Sequence, residues 1–435
     1  MRSVLSDFYH RTSCSLCDSK ALVLRLPMPA CPPVDAFRYK GHSQYKGSYF
    51  PMDLYQCEDC GYLQLLDIVS PKLLFGDYIY LSSSSPDLNE HFEKYSNFMQ
   101  EYFERDGIHK RFCVDVGCND GLFLSKIARF GHQVLGVDAS EYCAKVSNQN
   151  GVSCVQGFFE RTLAEHLLKQ HGCADVIFAN NVFSHSDHLI EILEGVKTLL
   201  SDTGLFVFEV SYALDTIDQR VFDYIYHEHV GYHSLKPLIK FLNKNGFEIE
   251  DVVRVNTKGG SIRVVAKKIA QDSSSPQVAQ SQAVKELLDL EEKSGLYSAK
   301  LYKDLEDFVN NRRTLINRYI SEALASGKTI CVYGASATSI VLMRSLDLEG
   351  RVAFIVDDNS LRQGRLAPVS DIPVVSRSAL GSGEEFLCVV LAWRFWDRIV
   401  RQTDMDESKV TFLLPMNGEK VLLKQGYEPP PTSRV

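Results

Sequence analysis

The stretch Phe112-Cys113-Val114-Asp115-Val116-Gly117-Cys118-Asn119-Asp120-Gly121 limits the fold of this chain more than any other. Five residues of strand character run straight into a glycine turn, and Leu122 to Phe130 then carry the apolar spacing of an amphipathic helix. Strand, glycine turn and helix together make the opening unit of a doubly wound α/β domain, whose parallel strands need helical crossovers. The glycines let a nucleoside approach the backbone at the carboxyl end of that strand. A second strand, Val134-Leu135-Gly136-Val137, ends in Asp138, 23 residues after Asp115, where an acid can accept hydrogen bonds from ribose hydroxyls. The spacing is D-x-G-x-x-x-G rather than the G-x-G-x-x-G of dinucleotide binders, and Asp115 and Asp120 would repel a pyrophosphate. A cationic sulfonium suits these acids better.

The same rhythm runs over residues 111–268, with Val176 to Ala179, Leu205 to Val210 and Ile262 to Ala266 as further strands. It returns over residues 327–435 with Thr329 to Tyr333, Val352 to Val356 and Phe386 to Leu391, so a second, smaller α/β domain is expected there. Between the two, residues 269–326 read as a connector: Gln271 to Gln282 carries four serines and a proline, and Ala283 to Ser326 has long helical character. Residues 71–110 read as a helical connector in which Ser82 to Ser85 and Pro86 mark a turn or helix start. Residues 1–70, rich in Pro, Tyr and Cys, read as a small metal-stapled module. A length of 435 residues, at about 150 per domain, accommodates these units.

Composition narrows the class. Hydrophobic residues at 45% and charged residues at 23% belong to an ordinary globular protein. A net charge of −8 counts against a protein that grips phosphate backbones, so no nucleic-acid partner is expected. No stretch approaches the roughly 18 apolar residues of a membrane span, and Ala21 to Leu26 is too short for a signal core. Twelve cysteines are therefore read as thiols in a reducing cytoplasm.

Four of them form a pattern. Cys14-Ser15-Leu16-Cys17 and Cys57-Glu58-Asp59-Cys60-Gly61 are two C-x2-C knuckles with 39 residues between them. Each places two thiolates on one turn, and together they complete the tetrahedral set that zinc favours in closed structural sites. With every position filled by protein, the ion serves folding rather than catalysis.

The densest run of titratable side chains is Phe222-Asp223-Tyr224-Ile225-Tyr226-His227-Glu228-His229-Val230-Gly231-Tyr232-His233. Histidines and tyrosines at this density supply general bases and phenolic donors near neutral pH. Alternation would put His227 and His229 on one strand face, and spacing does not choose between them as a base or exclude a second metal site.

The glycine turn, Asp138 and the strand Ala174-Asp175-Val176-Ile177-Phe178-Ala179 with Asn180 and Asn181 resemble the motifs of class I S-adenosylmethionine-dependent methyltransferases. The resemblance implies that Asp115, Gly117, Asn119 and Gly121 cradle the methionine part of the cofactor, that Asp138 holds its ribose, and that Asn180 and Asn181 lie near the adenine and methyl group. The match narrows at F-D-x-I-Y-H-E-H, which resembles the signature of deoxysugar C-methyltransferases acting on nucleotide-linked sugars. Asp77-Tyr78-Ile79-Tyr80, Asn181-Val182-Phe183-Ser184-His185, Gly259-Gly260-Ser261-Ile262-Arg263, Val332-Tyr333-Gly334-Ala335, Val356-Asp357-Asp358 and Leu391-Ala392-Trp393 follow in family order. By position, the resemblance makes His229 the base that deprotonates the carbon beside a sugar ketone. Tyr226, Glu228 and His185 would orient substrate or stabilise the oxyanion, and Tyr78, Tyr80, Lys258, Arg263, Tyr333 and Asp357 would contact substrate. It implies a class I methyltransferase domain between a zinc module and a smaller C-terminal Rossmann-like domain.

The chain departs from the family pattern at Lys258, at Thr338 with Ser339, and at Arg394, which stand where His, Lys-Gly and Asn are usual. Two other readings use the same residues: methylation of an oxygen, nitrogen or carbon of another small metabolite, and recruitment of a protein or RNA partner by the outer domains.

Overall fold

The computed structural model describes residues 8–41, 48–70, 73–74, 81–105, 110–257, 259–270, 281–381, 383–401, 409–416 and 422–423. Tyr78, Tyr80 and Lys258 lie outside the described residues. The chain divides into two compact units, the first formed by Met1–Arg25, Leu54–Phe222 and Glu228–Leu301, the second by Leu26–Asp53, Asp223–His227 and Tyr302–Val435.

The first unit begins with short strands: β1 (Phe8–His10), β2 (Leu22–Leu26), β3 (Leu54–Cys57), β4 (Leu63–Leu65) and β5 (Asp67–Val69). Helix α1 (Pro86–Glu104) follows, capped by the Ser85 hydroxyl on Leu88 N–H with proline in its first position, the start that the serine run and Pro86 foreshadow. Then come β6 (Phe112–Val116), α2 (Leu122–Ala128), β7 (Gln133–Asp138), α3 (Glu141–Gln149), β8 (Cys154–Gln156), α4 (Arg161–His171), β9 (Ala174–Asn180), α5 (Leu189–Leu199) and β10 (Leu200–Ser211). After α6 (Ala213–Asp218), the two-residue β11 (Gly231–Tyr232) and α7 (Leu235–Lys244), the antiparallel pair β12 (Phe247–Val255) and β13 (Ser261–Lys268) completes the strands.

Seven of these strands form one sheet in the order β12-β13-β10-β9-β6-β7-β8. All neighbours from β10 to β8 are parallel, and β13 runs antiparallel to β10. Strand order reverses between β6 and β9, so the loops after these strands open the crevice where doubly wound sheets bind ligands. Helix α1 covers one face. Tyr95, Phe123 and Phe178 pack there with ring centroids 4.6 to 6.1 Å apart, as the apolar spacing of α1 and α2 requires.

A four-stranded sheet, β11-β4-β3-β2, and a two-stranded one, β1-β5, accompany the large sheet. The pairing of β11 with β4 carries the chain from the histidine-rich run onto the cysteine hairpin β3-β4.

Helices α8 (Gln282–Lys293) and α9 (Ala299–Ala325) occupy the stretch read as helical. In the second unit, β14 (Thr329–Tyr333), α10 (Ala337–Ser345), β15 (Phe354–Val356), β16 (Val374–Val375), β17 (Phe386–Val390), α11 (Trp396–Arg401), β18 (Val410–Leu414) and β19 (Leu422–Leu423) build a sheet in the order β16-β15-β14-β17-β18-β19. Only the edge pair β18-β19 is antiparallel. This is again a doubly wound order, with its switch point between β14 and β17.

Among the described residues, no helix is long and apolar enough to cross a membrane.

Candidate functional site

The two cysteine knuckles close in the same way. Asp18 N–H donates to Cys14 O at 3.0 Å and Gly61 N–H to Cys57 O at 2.8 Å. The four Sγ atoms lie within 4.8 Å of one another, with Cys14 to Cys60 at 3.7 Å and Cys17 to Cys57 at 3.6 Å. Sulfurs about 2.3 Å from a tetrahedral zinc ion stand about 3.8 Å apart, so the preformed set fits that metal. Burial pushes the Cys17 thiol up to about 11, while the hydrogen bond with Cys60 lowers the Cys14 thiol. Among the described residues, this is the one group of three or more metal-type side chains gathered closely enough to hold an ion.

The cofactor-type residues surround a cleft of about 1510 Å³ in the first unit, lined among others by Asp115, Gly117, Asn119, Asp138, Asn180, Asn181 and His185. Gly117 and Gly121 have φ of 71° and 79°, and a Cβ on either would stand 2.6 Å from Val182 or 2.7 Å from Ser147. The turn therefore accepts only glycine at both positions. Asp138 ends β7 and accepts from Asn119 N–H and Ser140 N–H, each at 2.8 Å. The Asn119 side chain accepts from Ser82 N–H at 2.9 Å, which ties the segment before α1 to the glycine turn.

Electrostatics single out the floor of the cleft. Burial, and then the charge of Asp138, hold the Asp115 carboxyl well above the usual carboxylate range. Burial also raises Asp138, against the two N–H donors that favour its charged form. Asp115 Oδ1 and both side-chain polar atoms of Asn180 are buried with no hydrogen-bond partner among the described residues. Orphaned polar atoms lining a cleft fit a polar, cationic ligand that would satisfy them. S-adenosylmethionine is such a group.

His185 ends a short turn, Phe183–His185, after β9, and its ring centroid lies 4.9 Å from that of His229. His227 lies elsewhere. Residues 225–230 form a turn and not a strand, so the expected shared face of His227 and His229 does not exist. His227 is buried in the second unit, with Nε2 3.2 Å from the carbonyl oxygens of both Phe50 and Pro51. Glu228 is half-buried beside His229, while Tyr226 is buried and belongs to the second unit.

Arg263 is held inside the first unit. The resemblance assigns it to substrate, but its guanidinium is buried, donating through Nε to Glu209 at 2.8 Å and stacking 3.4 Å from the Tyr95 ring centroid. His91 Nε2 holds the other Glu209 oxygen at 2.7 Å, so the arginine braces α1 against the sheet.

In the second unit, Tyr333 ends β14 and donates to Asp358 at 2.7 Å. Asp357 follows β15 and accepts from Ala335 N–H at 2.6 Å and Asn359 N–H at 2.7 Å. Thr338 and Ser339 cluster on the Ser336 hydroxyl that caps α10. Arg394 pairs with the buried Asp223 at 3.0 Å, joined by Trp393 Nε1 at 3.0 Å.

Sequence reasoning missed part of the cleft wall: Tyr142, Gln156, Phe158 and Asp187 all line it. Phe158 is 71% exposed after a strand of three residues, too short to show a period.

Three family models match the chain in succession: a putative zinc binding domain over residues 14–75, a methyltransferase domain over 89–252 and a C-methyltransferase C-terminal domain over 256–416. C-methyltransferase NovU of Streptomyces niveus is 29% identical over 376 residues, covering 86% of this chain and 88% of the relative. Among solved structures, magnesium protoporphyrin IX methyltransferase of Synechocystis PCC 6803 with bound SAH is 16% identical, covering 45% of this chain and 90% of its own at a TM-score of 0.34. The PH0226 protein of Pyrococcus horikoshii OT3 is 16% identical, covering 46% and 96% at a TM-score of 0.35.

Proposed function

We infer the reaction from one premise: the chain belongs to the S-adenosylmethionine-dependent C-methyltransferases that join a zinc-binding domain, a methyltransferase domain and a C-methyltransferase C-terminal domain. The cofactor, when bound, supplies a methyl group on a cationic sulfur. Carbon accepts it only as a nucleophile, which requires loss of a proton α to a carbonyl. We propose that His229 removes that proton and that His185, with Glu228 and Tyr226, orients the acceptor and donates to the developing enolate oxygen.

The observation that carries this reading is the pairing of the His185 and His229 imidazoles, 4.9 Å apart, with His185 on the wall of the cofactor cleft. Two imidazoles at that spacing offer one base and one donor to a single small acceptor. Asp115, Gly117, Asn119, Gly121 and Asp138 would hold the methionine and ribose parts of the cofactor, and Asn180 and Asn181 its far end.

The acceptor in this reading is a keto-deoxysugar carried on a nucleotide. The F-D-x-I-Y-H-E-H signature supports it, and so does the second unit, whose strand order and acid Asp357 at the end of β15 suit a nucleotide. Tyr333 and Asp357 would contact that part of the substrate. Incubation with methyl-labelled cofactor and a panel of nucleotide-linked keto-sugars tests the reading. Label on a carbon beside the ketone is expected; label only on oxygen or nitrogen, or only on acceptors without a ketone, overturns it.

A further inference from the structure

The four-cysteine module touches both histidine loops, and it does so through the backbone within two residues of each histidine. Val230, adjacent to His229, has both main-chain groups committed: its N–H donates to Ser184 O at 2.8 Å and its carbonyl accepts from Leu65 N–H at 2.9 Å. Ser184 is the neighbour of His185, so one peptide links the two loops directly. Leu65 ends β4, the strand that leaves the Cys57–Cys60 knuckle. The next residue, Gly231, stands opposite Gln64 in the same pairing. A Cβ on Gly231 would fall 1.9 Å from the hydroxyl of Tyr62, a buried side chain in the hairpin two residues past Cys60.

The module grips the other loop from its β1 side. Arg11 donates through Nη1 to Asp187 O at 3.4 Å and lies 3.6 Å from the Asp187 carboxylate, which also accepts from Tyr9. Arg11 is itself fixed, its N–H donating to Leu66 O at 2.7 Å. Asp187 is two residues past His185. Each residue spans at most about 3.6 Å, so these bonds leave the two histidines little freedom of placement.

We propose that the cysteine module is a positioning device for methyl transfer: its strands hold the loops of His185 and His229 in register, through Tyr62, Leu65 and Arg11. This goes beyond a metal-stapled domain that folds for its own sake, and it rests on the reading of His229 as the base. A reacting pair set by packing and backbone bonds works because misplacement by about 1 Å can cost about 100-fold in rate.

The test uses the full-length zinc-loaded protein, protonated only at histidine, in which magnetisation transfer between the His185 and His229 rings reports their proximity. Gly231→Ala drives a methyl group into the Tyr62 hydroxyl. It should lose the ring-to-ring transfer and about 100-fold in kcat on the acceptor used by the wild type, with SAH affinity within twofold and one zinc retained. Gly231→Ala/Tyr62→Phe removes the clashing hydroxyl and should recover the transfer and most of the turnover. Should Gly231→Ala fail to fold, Arg11→Gln carries the same test from the other side, weakening the transfer and kcat while Arg11→Lys restores them. Variants that keep ring proximity and kcat within twofold of wild type overturn the proposal, as does a double variant that folds but recovers neither. A His229→Ala protein that still turns over would instead sink the base assignment, while the ring-to-ring transfer still decides the positioning role.

Discussion

The ring of His185 stands 4.9 Å from the ring of His229, centroid to centroid, with the two planes inclined at 58°. Tilted rings at this distance are not stacked face to face. His227, two residues earlier, is instead held by the Phe50 and Pro51 carbonyls. That difference supports the proposal of His229, rather than His227, as the base.

Proton abstraction can be separated from methyl transfer. With SAH in place of the methyl donor, the wild type should exchange the α-hydrogen of its acceptor for solvent deuterium. His229→Ala should lose about 10²–10⁴-fold in that exchange, the range for a general base. His227→Gln keeps a donor for the two carbonyls and should exchange within a few-fold of wild type. Inactivity of His227→Gln alongside near-normal His229→Ala would transfer the base assignment to His227.

Asp138 offers a second prediction. Its carboxylate accepts two backbone N–H groups and sits on the cleft wall, where we assign it to the ribose hydroxyls. Asp138→Ala should weaken S-adenosylmethionine binding by about 1.5–3 kcal/mol, the cost of losing hydrogen bonds to a charged group. Titration calorimetry giving an unchanged Kd would remove the role.

The strand ends were readable from residues because their chemistry is local: a glycine turn after β6 and an acid after β7 occupy fixed chain positions in any sheet of this kind. The zinc ligands were readable for the same reason. The partners of Arg263 were not, because its pairing with Glu209, which His91 also holds, joins three distant segments and leaves no trace in spacing. Spacing did not choose between His227 and His229, and the shared strand face it allowed them is absent, because a turn replaces the alternation that strand reasoning assumes. The link from Val230 to both Ser184 and Leu65 is likewise a matter of backbone pairing that side-chain patterns do not encode.

The zinc site predicts a folding linkage. Cys57→Ser removes one of four sulfurs that already stand at tetrahedral spacing, so the variant should purify with much less than one zinc per chain and a lowered unfolding midpoint. Elemental analysis beside thermal denaturation checks both. Full occupancy together with unchanged stability would show that the ion sits elsewhere.

Asp115 gives the last prediction, and its sign follows from burial. Its carboxyl is held above the ordinary value of 3.8 by desolvation, and then by the Asp138 charge, so the native cofactor-free state retains a proton that the unfolded chain releases. That contribution to stability is fully present below about 3.8 and is lost as pH rises through the raised native value. Above it, the empty protein carries a buried, unfavourable charge. Asp115→Asn removes the ionisable group while keeping the shape, so the cofactor-free variant should melt higher than wild type at pH 7–8, where the unfolded chain has released the proton, with the difference vanishing towards pH 4. Binding should move the other way. A cationic cofactor favours the ionised carboxylate, so wild-type affinity for S-adenosylmethionine should rise with pH through the same window and binding should release protons. In Asp115→Asn the affinity should be weaker and its pH slope shallower, and what proton release remains would belong to Asp138, also raised by burial. Differential scanning calorimetry across pH, with titrations in two buffers of different ionisation enthalpy, measures both halves. A variant that melts with wild type at every pH and binds with the same affinity and proton release would mean that Asp115 neither carries a buried charge nor faces the cofactor's cation.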